Sequence, residues 1–176
     1  MSKNMIQETF PMTVGGDEVP NERTLLTKVE SGLMMSGADA VRFLIVHCSA
    51  TRCDRDYMVE QMLRDHKARD FRTIGYHFYI RKSGIVTQHR RLLEVGAHAR
   101  GFNRCSIGIC YEGGLDGHGN PADTRTLQQK TALLELLWKL HRLFPTALIA
   151  GHRDLPGVKK ACPCFDVVGE YDSSFH

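Results

Sequence analysis

Side chains that could carry chemistry are concentrated in residues 151–166, near the end of the chain. This stretch contains His152, the thiols Cys162 and Cys164, two adjacent lysines and two carboxylates. An imidazole nitrogen and a thiolate sulfur together suit zinc better than magnesium or calcium. Because His152 and Cys162 supply only two ligands, a metal site here requires at least one more ligand from another part of the chain.

A second histidine, His47, stands in an equivalent position in the sequence. It follows the apolar run of residues 41–46, just as His152 closely follows the apolar run of residues 147–150. Both runs are predicted to be buried strands, and α/β domains present ligands at the ends of such strands. Each histidine alone could equally be a hydrogen-bonded residue at the rim of the core. Two in equivalent positions, with Cys162 on a loop nearby, favour a shared metal.

Hydrolysis is the chemistry expected of such a site. Two histidines and one cysteine leave the fourth tetrahedral position of zinc open, which is the pattern of a catalytic zinc. Zinc lowers the pKa of a water in that position towards neutrality and polarises a bound carbonyl. The spacings of Cys48 from Cys53 and of Cys162 from Cys164 differ from the two-residue gap of a structural zinc knuckle. A Cys-Pro-Cys redox or metal pair is the alternative interpretation of the second spacing.

The pattern of apolar residues predicts the elements that position these side chains. Strands are expected over residues 41–46, 106–112 and 147–150, a β-hairpin over residues 76–81 and 85–89, and helices over residues 57–68 and from Thr124 or Thr126 to about Leu143. This alternation indicates a single α/β domain with a mixed central β-sheet flanked by helices. The metal site is expected at the strand ends.

The first 40 residues are predicted to be an N-terminal extension of unknown role, ahead of a domain over residues 41–176. Residues 1–20 are polar and show no sustained hydrophobic period. Asn21 or Thr24 could cap a short helix with one apolar side. The residues on that side are Leu25, Leu26, Val29 and Leu33.

Composition limits the classes of protein to which the chain can belong. Its 176 residues suit one domain, and 42% hydrophobic and 24% charged residues predict a globular core. A formal net charge of +3 is too small to predict a nucleic-acid partner. The chain contains no run of about eighteen apolar residues, so no membrane span is predicted. It also contains no apolar h-region, so no secretory signal peptide is predicted. The six cysteines are therefore expected to be free thiols or metal ligands.

Five short motifs occur in a fixed order along the chain. They are Val46-His47-Cys48-Ser49-Ala50-Thr51, Gly75-Tyr76-His77-Phe78, Gly96-Ala97-His98-Ala99, Ser106-Ile107-Gly108-Ile109, and His152 followed by Lys160-Ala161-Cys162-Pro163. In this combination the chain resembles the zinc-dependent N-acetylmuramoyl-L-alanine amidases of the phage T7 lysozyme and peptidoglycan-recognition-protein type. The resemblance covers about residues 41–168.

The resemblance implies an enzyme that cleaves the amide bond between the lactyl group of N-acetylmuramic acid and L-alanine in bacterial peptidoglycan. It implies that His47, His152 and Cys162 bind Zn2+. Tyr76 matches the family's catalytic tyrosine, and Lys160, two residues before the cysteine, matches its catalytic lysine. In the implied mechanism Tyr76 orients the attacking water, while Lys160 and the metal stabilise the oxyanion.

Further residues are assigned by their position beside these motifs. Candidates for contact with the glycan or the stem peptide are His98, Arg100 and Asn103. His77 points opposite Tyr76 on an ideal strand and is expected to be structural. The gap before Cys162 is longer than in the phage-type pattern, and the Lys-x-Cys-Pro register selects Lys160 over Lys159.

Two other functions are compatible with parts of the pattern. A non-catalytic muropeptide-binding module would be favoured by loss of the cysteine ligand, yet Cys162 is present. A structural zinc domain would have no need of Tyr76 and Lys160. The expected partner is peptidoglycan or its muropeptides, and the chain is expected to act as a monomer. Without a signal peptide it would be made in the cytoplasm and act at the cell wall after release or non-classical export.

Overall fold

The computed structural model describes residues 32–175, so the predicted helix positions Leu25, Leu26 and Val29 lie outside the described residues. The strands are β1 (Phe43–Cys48), β2 (Thr51–Arg52), β3 (Phe78–Ile80), β4 (Val86–Gln88), β5 (Ser106–Tyr111), β6 (Gly114–Leu115) and β7 (Leu148–Gly151). The helices are α1 (Val59–Lys67), α2 (Leu127–Leu143) and α3 (Val167–Phe175), with short 3-10 turns at Ala38–Ala40, Asn103–Cys105 and His152–Asp154. Within the described range, no helix has the length and apolarity needed to cross a membrane.

Five strands form the central sheet in the order β4-β3-β5-β1-β7. β1 lies parallel to both β5 and β7, and β3 lies parallel to β5. β3 and β4 pair antiparallel, as the predicted hairpin requires. The sheet is therefore mixed, and the predicted fold class is confirmed.

Alternation along β3 separates two hydrophobic clusters. Phe78 and Ile80 belong to the cluster that contains the inner side of α2, whereas Tyr79 between them packs with Met62 of α1. Because successive side chains of a strand point to opposite faces, α1 and α2 cover opposite faces of the sheet. Both faces are closed to water, which explains why β1 is apolar without alternation.

Strand register places the two candidate histidines side by side. Val46 of β1 pairs with Gly151 of β7 in parallel. His47, still within β1, and His152, at the start of the 3-10 turn after β7, are the residues that follow this pair, so they lie side by side at the same ends of the two strands. The two candidate metal-binding histidines therefore lie together at the strand ends, where the sequence predicts them.

Helix α2 begins with a capping box. The hydroxyl of Thr126 accepts from the amide of Gln129, whose side chain accepts from the amide of Thr126. The same hydroxyl donates to the carbonyl of Lys82 at 2.6 Å, which ties the helix to the β3–β4 hairpin. The structure thus selects Thr126 from the two predicted start positions.

Replacing Thr126 by alanine is expected to lower the free energy of unfolding by roughly 1–2 kcal/mol, because it removes the cap and the bond to the hairpin. Urea unfolding measures the loss. Thr131→Ala is the matched control, since the Thr131 hydroxyl donates only to the carbonyl of Leu127 within the same helix. Equal losses in the two variants would contradict a special role of the cap.

Two parts of the fold were not predicted. β2 and β6 form a separate two-stranded parallel sheet, and α3 follows the loop that carries Cys162.

The buried guanidinium of Arg125 holds α3 in place. It lies 3.3 Å from the ring centroid of Phe165 and forms ion pairs with Asp123 and Glu170.

Candidate metal centre

Three side chains converge at the ends of β1 and β7. Ligand atoms of His47, His152 and Cys162 all lie within 4.8 Å of one another. The ring centroids of the two histidines are 4.6 Å apart, and His47 Nδ1 lies 3.8 Å from Cys162 Sγ. Two imidazoles and one thiol form a donor set that suits zinc, so these residues fit the predicted metal.

The loop between β7 and α3 folds back to bring Cys162 to the histidines. The amide of Arg153 donates to the carbonyl of Cys162 at 2.8 Å, which closes the loop. Most of residues 156–160 are exposed, so the extra length of this loop projects into solvent. The amide of Cys48 donates to Cys162 Sγ at 3.3 Å. The longer gap therefore leaves the cysteine beside the histidines.

Burial keeps both histidines neutral. It is the main cause that lowers the pKa of His47 well below its ordinary value, followed by the charges of His152 and Lys160. Burial, and then the charge of Lys160, lowers the pKa of His152. A neutral imidazole has a free lone pair, so both rings are ready to bind a cation at neutral pH.

Two further thiols, those of Cys48 and Cys164, lie near the centre. Their sulfur atoms are 3.8 Å apart. Burial is the main cause that raises the pKa of Cys164 to about 12, followed by its neighbour Cys48. All six cysteines are free. In the described part of the chain, the one group of three potential ligands contains Cys162 and neither of these two thiols.

Tyr76 lies beside the metal group. Its ring centroid is 5.1 Å from that of His47, and the residue is half-buried. Burial raises the pKa of Tyr76 well above its ordinary value, and the neighbouring thiols of Cys110 and Cys162 raise it further. In these surroundings the phenol keeps its proton at neutral pH, which makes it a hydrogen-bond donor rather than a base.

Of the other predicted site residues, His98 contacts this group directly. Lys160 is exposed on the loop, and its charge acts on both histidines. His98 Nδ1 lies 2.9 Å from His47 Nε2. Asn103 Oδ1 accepts from the amide of His98 and from the next amide, each at 2.9 Å, while Arg100 is exposed on the same turn. Contact of these three residues with a glycan or peptide stays a prediction.

His77 is a structural residue, as the strand alternation predicts. Its Nδ1 accepts from the amide of Gly108 at 3.0 Å, and its Nε2 donates to the carbonyl of Glu94 at 2.7 Å. Burial lowers the pKa of His77 to about 3, so the ring stays neutral. Both of its nitrogens are therefore used inside the fold.

Sequence reasoning missed two residues that support the centre. The amide of Cys48 contacts the Cys162 sulfur, and the hydroxyl of Ser106 lies 3.4 Å from His98 Nε2. Cys48 lies 114 residues from its partner, and serine is common at the start of a strand. Spacing alone therefore contains no signal for either contact.

Most of the chain is similar to known proteins. The family described as N-acetylmuramoyl-L-alanine amidase matches residues 37–165. The chain is 42% identical over 122 residues to the endolysin of Enterobacteria phage K11, which covers 69% of this chain and 80% of that protein. N-acetylmuramoyl-L-alanine amidase LysC from Clostridium intestinale URNW is similar in structure, with a TM-score of 0.64 and 27% identity over 78% of this chain and 85% of its own. Drosophila PGRP-LB shares the fold, with a TM-score of 0.65 and 23% identity over 81% of this chain and 85% of its own.

Proposed function

The chain belongs to the N-acetylmuramoyl-L-alanine amidase family, and from that premise we propose that it hydrolyses peptidoglycan with a zinc ion bound by His47, His152 and Cys162. The bond cleaved is the amide between the lactyl group of N-acetylmuramic acid and L-alanine. The observation that carries the proposal is the convergence of the three ligand atoms within 4.8 Å, beside the ring of Tyr76.

The burial of the three ligands indicates from which side the substrate reaches the zinc site. Zinc, when bound, polarises the scissile carbonyl and lowers the pKa of a coordinated water. His47 is buried, whereas His152 and Cys162 are half-buried, so a substrate approaches from the side of the loop. The buried side keeps the ligands fixed, and the loop side admits the bulky polymer.

Two side chains act on the reacting atoms. Tyr76 keeps its proton because desolvation raises its pKa, so its hydroxyl orients the attacking water by donating a hydrogen bond. The Lys160 ammonium stabilises the negative charge that develops on the carbonyl oxygen, which is usually the largest catalytic contribution. Its closeness to the metal group is supported by its effect on the pKa values of His47 and His152.

The wider assignments follow from the same proposal. Arg100 and Asn103 contact the glycan or the carboxylates of the stem peptide, and the His98 ring lines the substrate groove beside them. Residues 1–40 form an extension ahead of the amidase domain, and the protein works as a monomer. It acts at the cell wall, as an endolysin-type amidase would.

Mass spectrometry of muropeptides released from purified peptidoglycan tests the bond and the substrate together. We expect products with free L-alanine amino termini and intact N-acetylmuramic acid, and we expect a zinc chelator to abolish their release. Binding of peptidoglycan without release would favour the muropeptide-binding module. Products cut at a glycosidic or peptide crosslink position would refute the assigned bond.

Tyr76→Phe is expected to lower kcat by about 100-fold to 1,000-fold, because it removes one oriented hydrogen bond from the reacting atoms. The ring itself remains, so its packing beside His47 and the zinc content should stay unchanged. Turnover of a soluble muropeptide and zinc per chain are measured on the same sample. Tyr57→Phe is the matched control, since the Tyr57 hydroxyl donates to Asp65 at the surface. Normal turnover in the Tyr76 variant would remove this residue from the mechanism.

A further inference from the structure

A series of hydrogen bonds runs from the metal group to the backbone before β5. His47 Nε2 lies 2.9 Å from His98 Nδ1, and His98 Nε2 lies 3.4 Å from the hydroxyl oxygen of Ser106. That hydroxyl donates to the carbonyl of Phe102 at 2.7 Å. The other nitrogen of His47, Nδ1, is the atom that faces Cys162 Sγ. The His98 ring therefore links a metal ligand to a fixed backbone acceptor.

The carbonyl of Phe102, at the end of this series, determines which nitrogen of His98 and of His47 carries the proton. A carbonyl oxygen can only accept, so the single hydroxyl proton of Ser106 is directed at Phe102. The Ser106 oxygen then accepts from His98 Nε2–H, which leaves the lone pair of the neutral His98 ring on Nδ1. His98 Nδ1 accepts from His47 Nε2–H. The lone pair of His47 is consequently on Nδ1, on the side of Cys162.

We propose that His98, held by Ser106, is a positioning residue for the metal ligand His47. It selects the His47 tautomer that binds the ion through Nδ1, and it fixes the orientation of that ring. The inference rests on the zinc site of the proposed function. Partners of the second nitrogen of a ligating histidine typically change metal affinity about 10-fold to 100-fold when they are removed. This role is separate from the substrate contact predicted for His98.

Packing gives the His98 ring a fixed place from which to act. A β-carbon added at Gly108 would lie 2.5 Å from His98 Cγ, and one added at Gly96 would lie 2.6 Å from His98 Cδ2. Both glycines are buried, so their missing side chains form the slot that the ring occupies. The His98 amide donates to Asn103 Oδ1 at 2.9 Å, which fixes the backbone from which the ring extends. A ring confined in this way can impose its orientation on His47.

Zinc affinity, measured by competition with a chromophoric chelator, tests the proposal. His98→Leu removes both ring nitrogens at similar volume and is expected to weaken zinc binding about 10-fold to 100-fold. His98→Asn places an amide oxygen near the position of Nδ1, where it can accept from His47 Nε2–H. We therefore expect His98→Asn to recover most of the wild-type affinity. Wild-type affinity in His98→Leu, or equal losses in the two variants, would overturn the proposal.

The tautomers of the zinc-loaded wild-type protein give a second measurement, which does not depend on the folding of a variant. Nitrogen NMR of histidine-labelled protein is expected to show Nε2–H on both His98 and His47. A proton on His98 Nδ1 would overturn the inferred order. Failure of the proposed function is distinguishable, because a wild-type protein that binds no zinc refutes the metal site itself. Tight zinc binding that is independent of His98 refutes only the positioning role.

Discussion

Cys162→Ser is expected to abolish tight zinc binding and to lower amidase turnover by about three orders of magnitude, because the Lewis-acid contribution is several kcal/mol. Serine keeps the size of the side chain but replaces a thiol, which gives up its proton readily on binding zinc, by a hydroxyl, which does not. Only the deprotonated sulfur is a good ligand for zinc. Two histidines at the end of the sheet would remain, and the loop would retain its bond from the Arg153 amide to the carbonyl of residue 162.

Cys164→Ser is the matched control for this experiment. Cys164 lies on the same loop, but it is outside the group of three converging ligand atoms, and its sulfur lies 3.8 Å from that of Cys48. We expect this variant to retain one zinc per chain and turnover close to that of the wild type. Zinc content by elemental analysis and turnover of a soluble muropeptide are measured for both variants. If Cys164→Ser loses the metal and Cys162→Ser keeps it, the ligand assignment between the two thiols is wrong.

The part of the fold that could be predicted is the part whose residues either repeat with a clear period or form a continuous apolar run. Helix α2 has buried leucines at helical spacing, and β1 is an apolar run of strand-forming residues. β2 and β6 contain two residues each, which is too short for any period. Helix α3 did offer a signal, because its buried residues Val167, Tyr171 and Phe175 recur every four positions. The pattern is not obvious in the sequence, because the helix starts directly after the loop that contains Cys162 and Cys164.

The candidate site divides in the same way between local and long-range information. His47 and His152 could be paired from the sequence because both come just after apolar runs, and neighbouring parallel strands end on the same side of a sheet. The contact of His47 with His98 spans 51 residues and depends on space left by Gly108 on a third element. Such a contact follows from packing rather than from a sequence period. Cys162 combines both kinds of information. The sequence motif identifies it as a candidate ligand, but the folding of the loop brings it to the histidines.

Lys160 has an adjacent lysine, Lys159, in the same loop. Which of the two acts in catalysis determines how the longer loop is aligned with the family motif. Both lysines are exposed, so neither is needed for the core. The charge of Lys160 lowers the pKa of His47 and of His152, which indicates that its ammonium lies close to the metal group. A flexible side chain on a loop can move the remaining distance to a substrate oxygen. The matched variants are therefore Lys160→Met and Lys159→Met.

Lys160→Met is expected to lower kcat about 100-fold to 1,000-fold, the usual effect of removing one donor to a developing oxyanion. Methionine keeps much of the aliphatic length, so the loop and the zinc content should be unchanged. Lys159→Met should retain most of the turnover while losing the same formal charge, which separates a positioned ammonium from a general attraction to an anionic polymer. Steady-state kinetics on a soluble muropeptide distinguish the two through kcat. A large loss in Lys159→Met with normal turnover in Lys160→Met would shift the motif by one residue. Equal small losses in both variants would remove Lys160 from oxyanion stabilisation.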